Sequence, residues 1–156
     1  NIPNNINQYR EYIETRNGNL LHSRCFIPKK ELIQNIKGMI CFVLGYSSHC
    51  NWQWISVAIE WCKLGYIVFM HDSYGHGLSQ GLWIYTPSMN DMINDYYDTF
   101  EWAKKTYTPP KHRRTNNFSY FIMGVSLGGN IALRISLKYQ NNIKKLKSNS
   151  FQSIGN

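Results

Sequence analysis

The sequence predicts an α/β fold: a mostly parallel sheet opened by an antiparallel hairpin and connected by crossover helices. Three observations carry this. Short apolar runs at Met39–Leu44, Ile67–His71 and Phe118–Met123 are rich in β-branched and aromatic residues, as buried parallel strands require. Longer segments of helical character at 51–64, 88–107 and 127–139 alternate with them. Each apolar run also leads into a glycine-containing turn. Strands alternating with helices imply right-handed parallel crossovers.

The elements follow in order. After an asparagine-rich segment over 1–8, a hairpin is expected from Tyr9–Thr15 and Leu20–Phe26, turning at Asn17-Gly18-Asn19. Pro28-Lys29-Lys30 leads to the strand at Met39–Leu44, and Gly65 ends the helix that follows it. Ser88 with Asp91 three residues on is a capping-box-like start, and Pro109-Pro110 stops that helix near Tyr107. Thr108–Asn117 is expected to be a basic, polar loop. The last helix should run to about Tyr139, broken by Gln140-Asn141-Asn142, and 144–156 reads as a basic polar tail after a partial domain over 9–143.

Gly124-Val125-Ser126-Leu127-Gly128 has the G-x-S-x-G pattern between a strand and a helix, the context of a nucleophile elbow. The turn is so tight that side chains two residues either side of the serine would collide, and Gly124 and Gly128 remove the clash. The helix N-terminus then faces the serine, so the Leu127 N–H can stabilise a developing oxyanion. A serine in a glycine-rich turn without chemistry is the alternative, because the pattern is short.

Further segments lie around it: Lys37–Leu44 running into Gly45-Tyr46-Ser47-Ser48-His49, then Asp72-Ser73-Tyr74-Gly75-His76-Gly77-Leu78-Ser79-Gln80-Gly81, then Tyr85–Asp91. In this order they resemble the α/β-hydrolase superfamily, specifically its monoacylglycerol lipase and lysophospholipase group of serine aminopeptidase S33 type. Glu11–Glu14 with Asn17–Leu20 is similar to that group's opening hairpin. The resemblance spans roughly Tyr9 to Ile143 and covers the N-terminal half of the fold.

It implies a serine hydrolase of lipid or carboxylic esters, with Ser126 as nucleophile and the backbone N–H groups of Tyr46 and Leu127 as oxyanion donors. Asp72, Gly75, His76 and Gly77 would be structural loop residues. Leu44-Gly45-Tyr46-Ser47 stands where the group has H-G-x-G, so its first histidine and second glycine are replaced. An activated serine also needs a base and an orienting acid, in the chain order Ser, Asp or Glu, His. Residues 127–156 contain no Asp, Glu or His. Of the five upstream histidines, none has a carboxylate at a spacing that identifies an orienting partner. The chain is about half the length typical of that superfamily, so a truncated product or gene fragment is expected, and its opening at Asn1 without Met fits an incomplete or a processed N-terminus. The alternative is a catalytically inactive half-domain, or a regulatory or binding fragment.

The formal net charge is +8, with basic clusters at Lys104-Lys105, Lys111–Arg114 and Lys144–Lys147. A basic binding module is a further alternative. No nucleic-acid-binding motif accompanies the charge, so attraction to anionic membrane surfaces is the expectation instead. Cys25, Cys41, Cys50 and Cys62 show no C-x-x-C pairing and no metal spacing. They read as free thiols in a reducing compartment, with no metal and no cofactor. With neither a membrane-length apolar run nor a basic-then-apolar leader, the expected location is cytoplasmic, with peripheral membrane contact. The strand before Ser126 should pair with Met39–Leu44 on one side only. Its other edge, apolar and without Pro or Lys, is expected to drive self-association.

Overall fold

The computed structural model describes residues 2–32, 35–86, 88–115 and 117–152. Five strands, β1 (Ile6–Glu14), β2 (Leu20–Pro28), β3 (Gly38–Val43), β4 (Tyr66–His71) and β5 (Ser119–Gly124), form one sheet in the order β1-β2-β4-β3-β5. The hairpin and the β2–β4 pair are antiparallel, whereas β4–β3 and β3–β5 are parallel. The α/β reading therefore holds, and the chain forms a partial fold of that kind.

Side-chain alternation divides the core into two layers. Met39, Cys41, Val43, Ile67 and Phe69 pack with α2 (Met89–Tyr107) and α4 (Leu127–Gln152), through Tyr96, Phe100, Ile131 and Ile135. Phe42, Leu44, Val68 and Met70 pack on the other face with α1 (Trp52–Lys63), through Ile55, Ala58, Ile59 and Cys62. All four cysteines are free and buried.

Local chemistry sets the helix ends. Asn51 caps α1 by accepting from the Trp54 N–H at 3.4 Å. The chain leaves α1 through Gly65, whose φ of 98° few other residues adopt. The Ser88 hydroxyl oxygen caps α2 by accepting from the Asp91 N–H at 3.0 Å. Buried Asp95 on α2 ties down the hairpin turn, accepting from Thr15 Oγ1 at 2.6 Å, Asn17 Nδ2 at 2.9 Å and Asn19 Nδ2 at 2.8 Å.

Three expectations are corrected. β1 starts at Ile6, inside the asparagine-rich segment, because Ile6 is buried in the α1-side core. The segment after α2 is not all loop: Pro110–Thr115 forms a short helix, α3, with Pro at a first-turn position that needs no N–H. From it Arg113 reaches back to the carbonyls of Thr108 and Thr106, at 2.7 and 2.9 Å, and closes the end of α2. Finally, α4 does not break at Gln140-Asn141-Asn142 but continues to Gln152, so the backbone of 144–152 is helical. Asn and Gln carry only a modest helix penalty, and the Asn142 amide donates to Tyr97 Oη at 3.0 Å instead of competing for the helix backbone. Residues 153–156 of the expected tail lie outside the described residues.

Candidate active site

β3 and β5 run parallel, so their carboxyl ends lie together, and the turns that follow them meet. Val125 extends the pairing one step beyond β5 by donating its N–H to the Val43 carbonyl at 3.2 Å. Ser126 then takes φ = 56°, a left-handed conformation unusual for a residue with a side chain, and α4 begins at the next position. This is the geometry of a nucleophile elbow: an exposed serine on a strained turn between strand and helix.

The two elbow glycines are explained by contact. A Cβ on Gly124 would run into the Gly128 carbonyl, and one on Gly128 into the Val43 carbonyl, 2.6 Å from that of Leu44. Gly45 faces the serine across the gap between the two turns. A Cβ there would lie 3.3 Å from Ser126 Cβ and 3.9 Å from Ser126 Oγ. Tyr46 follows directly, so its backbone N–H and that of Leu127 flank the serine along the chain from both turns. Among the described residues neither amide donates a hydrogen bond, which leaves both available to an anionic oxygen.

The glycine loop after β4 is anchored by Asp72, which is 2% exposed. Its carboxylate accepts from the Cys50 N–H at 2.6 Å, the Leu78 N–H at 3.0 Å and His22 Nδ1 at 3.0 Å. Burial pushes this carboxyl up, but the bonds from His22, Cys50 and Leu78 outweigh it and hold it at about 2. Gly77 packs directly on the carboxylate, where a side chain would collide with it. The loop folds back over Gly75, whose N–H donates to the Gln80 carbonyl and whose carbonyl accepts from Ile84 N–H, both at 2.8 Å.

The histidines are placed as follows. His76 Nδ1 lies 2.9 Å from the Tyr74 carbonyl and its Nε2 accepts from the Ser47 N–H at 3.2 Å, so both ring nitrogens are occupied. His22 is held by Asp72. His71 lies buried against Tyr96, ring centroids 3.9 Å apart, and burial lowers its pKa. His112, expected in a solvated loop, sits on α3 and stacks on Phe118 at 5.0 Å. Half-buried His49 lines a cleft of about 370 Å³ with Trp52, Leu78 and Trp83. Among the described residues, no histidine hydrogen-bonds to the Ser126 hydroxyl. No group of three His, Cys, Asp or Glu comes together among them as a metal site would need.

The sequence pattern of the serine aminopeptidase, S33, family matches residues 34–147. The chain belongs to that family. Among curated proteins, the caffeoylshikimate esterase of Arabidopsis thaliana is 29% identical over 128 residues, covering 82% of this chain and 36% of the esterase. Among solved structures, Est1E from Butyrivibrio proteoclasticus with bound ferulic acid superposes with a TM-score of 0.67 at 18% identity. It covers 84% of this chain and 48% of Est1E. The Pyrococcus furiosus esterase Pf2001 gives 0.63 at 21% identity, covering 83% and 46%. These likenesses place this S33 family member in the α/β-hydrolase fold. The chain spans less than half the length of each of these relatives.

Two site features had no sequence signal. The His22–Asp72 contact joins residues fifty positions apart, and only the β2–β4 register, with Ser23 opposite His71, makes them neighbours. The Ser47–His76 bond joins two loops that the sequence separates by a helix and a strand.

Proposed function

We propose that this chain carries the nucleophile-bearing half of a serine hydrolase of lipid or carboxylic esters, of monoacylglycerol lipase or lysophospholipase type. The single observation behind this is Ser126 at φ = 56°, exposed on the elbow and facing Gly45. Ser126 Oγ attacks the acyl carbonyl carbon and its proton passes to a base. The oxyanion is held by the Tyr46 and Leu127 N–H groups, and its collapse expels the alcohol, which takes up that proton. Water then attacks the acyl-serine ester, releasing the acid and restoring the hydroxyl. Residues 127–156 do not supply the base, because they contain no His, Asp or Glu. An S33 family membership alone would admit aminoacyl substrates, and the esterase name of the plant relative favours esters.

A second reading is a catalytically inactive half-domain that regulates or binds. The engagement of both His76 ring nitrogens favours it, since that ring cannot also serve Ser126. The proposal places the protein in the cytoplasm, with its basic clusters in peripheral contact with anionic membranes and its β5 edge joining copies of itself. Among the described residues, no helix is long and apolar enough to cross a membrane.

The test is covalent labelling by a fluorophosphonate, together with hydrolysis of a monoacylglycerol, a p-nitrophenyl ester and an aminoacyl anilide. The expected result is labelling and ester cleavage by the wild type, with cleavage lowered about 10³-fold or more by Ser126→Ala. A folded wild-type protein that takes no label would overturn this reading and leave the second. Cleavage of the anilide alone would replace ester with aminoacyl substrates.

A further inference from the structure

We propose that His76 is the positioning residue of the oxyanion loop, acting through the backbone N–H of Ser47 rather than on substrate. This rests on the reading of Ser126 as nucleophile and adds a residue to that site. The loop from Gly45 to Ser48 closes as a turn, Ser48 N–H to Gly45 carbonyl at 3.2 Å, with Ser47 at its third position and φ = 56°. A positive φ at that position is where turns select Gly or Asn. Serine is strained there, and the Ser47 N–H meets His76 Nε2 at 3.2 Å.

The ring is set for this role. The Tyr74 carbonyl can only accept and the Ser47 amide can only donate. His76 Nδ1 therefore donates to the Tyr74 carbonyl at 2.9 Å, and Nε2 accepts. His76 is 3% exposed and sits beneath a turn whose Tyr46 and Ser47 face solvent. Tyr46, whose N–H is the proposed donor, is braced by the same loop. Its ring meets the His76 ring edge-on at 5.8 Å and its hydroxyl donates to the Ile84 carbonyl at 3.1 Å. Ile84 is itself at φ = 57°, a strained conformation for a β-branched residue. Tyr46 N–H is thus held from its own side chain and from the next amide, both by a loop that Asp72 fixes to the sheet. This accounts for a serine standing where the family pattern has its second glycine.

Two substitutions separate the two ring nitrogens. His76→Asn keeps an amide near the Nδ1 position but removes the acceptor for Ser47, whereas His76→Gln places an amide oxygen near Nε2. Hydrogen exchange at the Ser47 amide, read by NMR on the 156-residue chain, is the primary measurement. We expect exchange about tenfold faster in His76→Asn and near wild type in His76→Gln. The fluorophosphonate labelling rate of Ser126 should fall roughly 10- to 100-fold in His76→Asn and recover in His76→Gln. Adding Ser47→Gly to His76→Asn should restore labelling in part, because glycine holds φ = 56° unaided.

Unchanged Ser47 exchange in a folded His76→Asn would overturn the proposal. So would equal losses in the Asn and Gln variants, which would mean ring packing alone matters. A wild type that takes no label would sink the nucleophile reading instead, with Ser47 exchange still deciding whether His76 holds the loop.

Discussion

β4 and β5 flank the same strand in the same parallel sense, and each is six residues long and rich in apolar side chains. Their surroundings differ. In β4, Ile67, Val68, Phe69 and Met70 are fully buried, alternating between the α1 layer and the α2–α4 layer. In β5, Tyr120, Phe121 and Met123 are 40, 47 and 45% exposed, and among the described residues the edge away from β3 has no neighbour in the sheet. A cleft of about 420 Å³ lies on each side of that edge, one against Trp61 and Tyr66, the other against Lys104 and Tyr139. Similar composition therefore serves two ends. β4 is the structural centre of the sheet, while β5 holds the elbow serine at its tip and leaves its flank open.

The contrast is broken most directly by truncating one phenylalanine on each strand. Phe69→Ala empties a site packed against Phe100 and should cost about 3–5 kcal/mol, whereas Phe121→Ala should cost less than about 1 kcal/mol. Urea unfolding of the two variants measures both. Comparable losses would mean the β5 flank is covered in solution.

A smaller effect tests the anchor at the end of β4. The Asp72 pKa of about 2 lies below the ordinary carboxylate value of about 3.9. Its stabilisation is therefore complete above about pH 4 and lost as pH falls toward 2, amounting to about 2 kcal/mol. His71, whose pKa burial lowers, contributes a loss of the same sign that begins once pH falls below about 6.5. Urea midpoints against pH should show both limbs, and Asp72→Asn should lower the midpoint at neutral pH and flatten the lower limb. A wild-type curve flat from pH 4 to 2 would contradict the Asp72 assignment.

The smallest change in stability, within about 0.5 kcal/mol, is expected from Phe121→Lys on the open flank. Its consequence should be in association, because a charged lysine is a standard guard on a sheet edge. Light scattering should find the wild type associated and the variant shifted toward monomer. Monomeric wild type at the same concentration would remove self-association through β5.

Much of this was legible in the residues. Gly124 and Gly128 around Ser126, between an apolar run and a helical one, specified the elbow, because a turn that tight excludes side chains at both positions. Ser88 and Gly65 marked helix ends through chemistry that operates within a few residues. The failures were also local. A polar triplet at Gln140–Asn142 looked like a stop but lacks the Gly or Pro that would enforce one, and Arg113 closes α2 from a segment that composition alone made a loop.

By itself, then, the sequence determined the alternation of the five strands with the three long helices and the position of the serine on its turn. These depend on residue size, periodicity and backbone freedom, which act over short separations. Only the tertiary structure decided that Asp72 is bound by His22, Cys50 and Leu78, that Asp95 gathers the hairpin turn, and that His76 supports Ser47. Except for Leu78, six residues from Asp72 in the same loop, the partners come from segments distant in the chain. A hydrogen bond requires approach to about 3 Å in a defined direction, and only strand register and loop packing bring such groups that close.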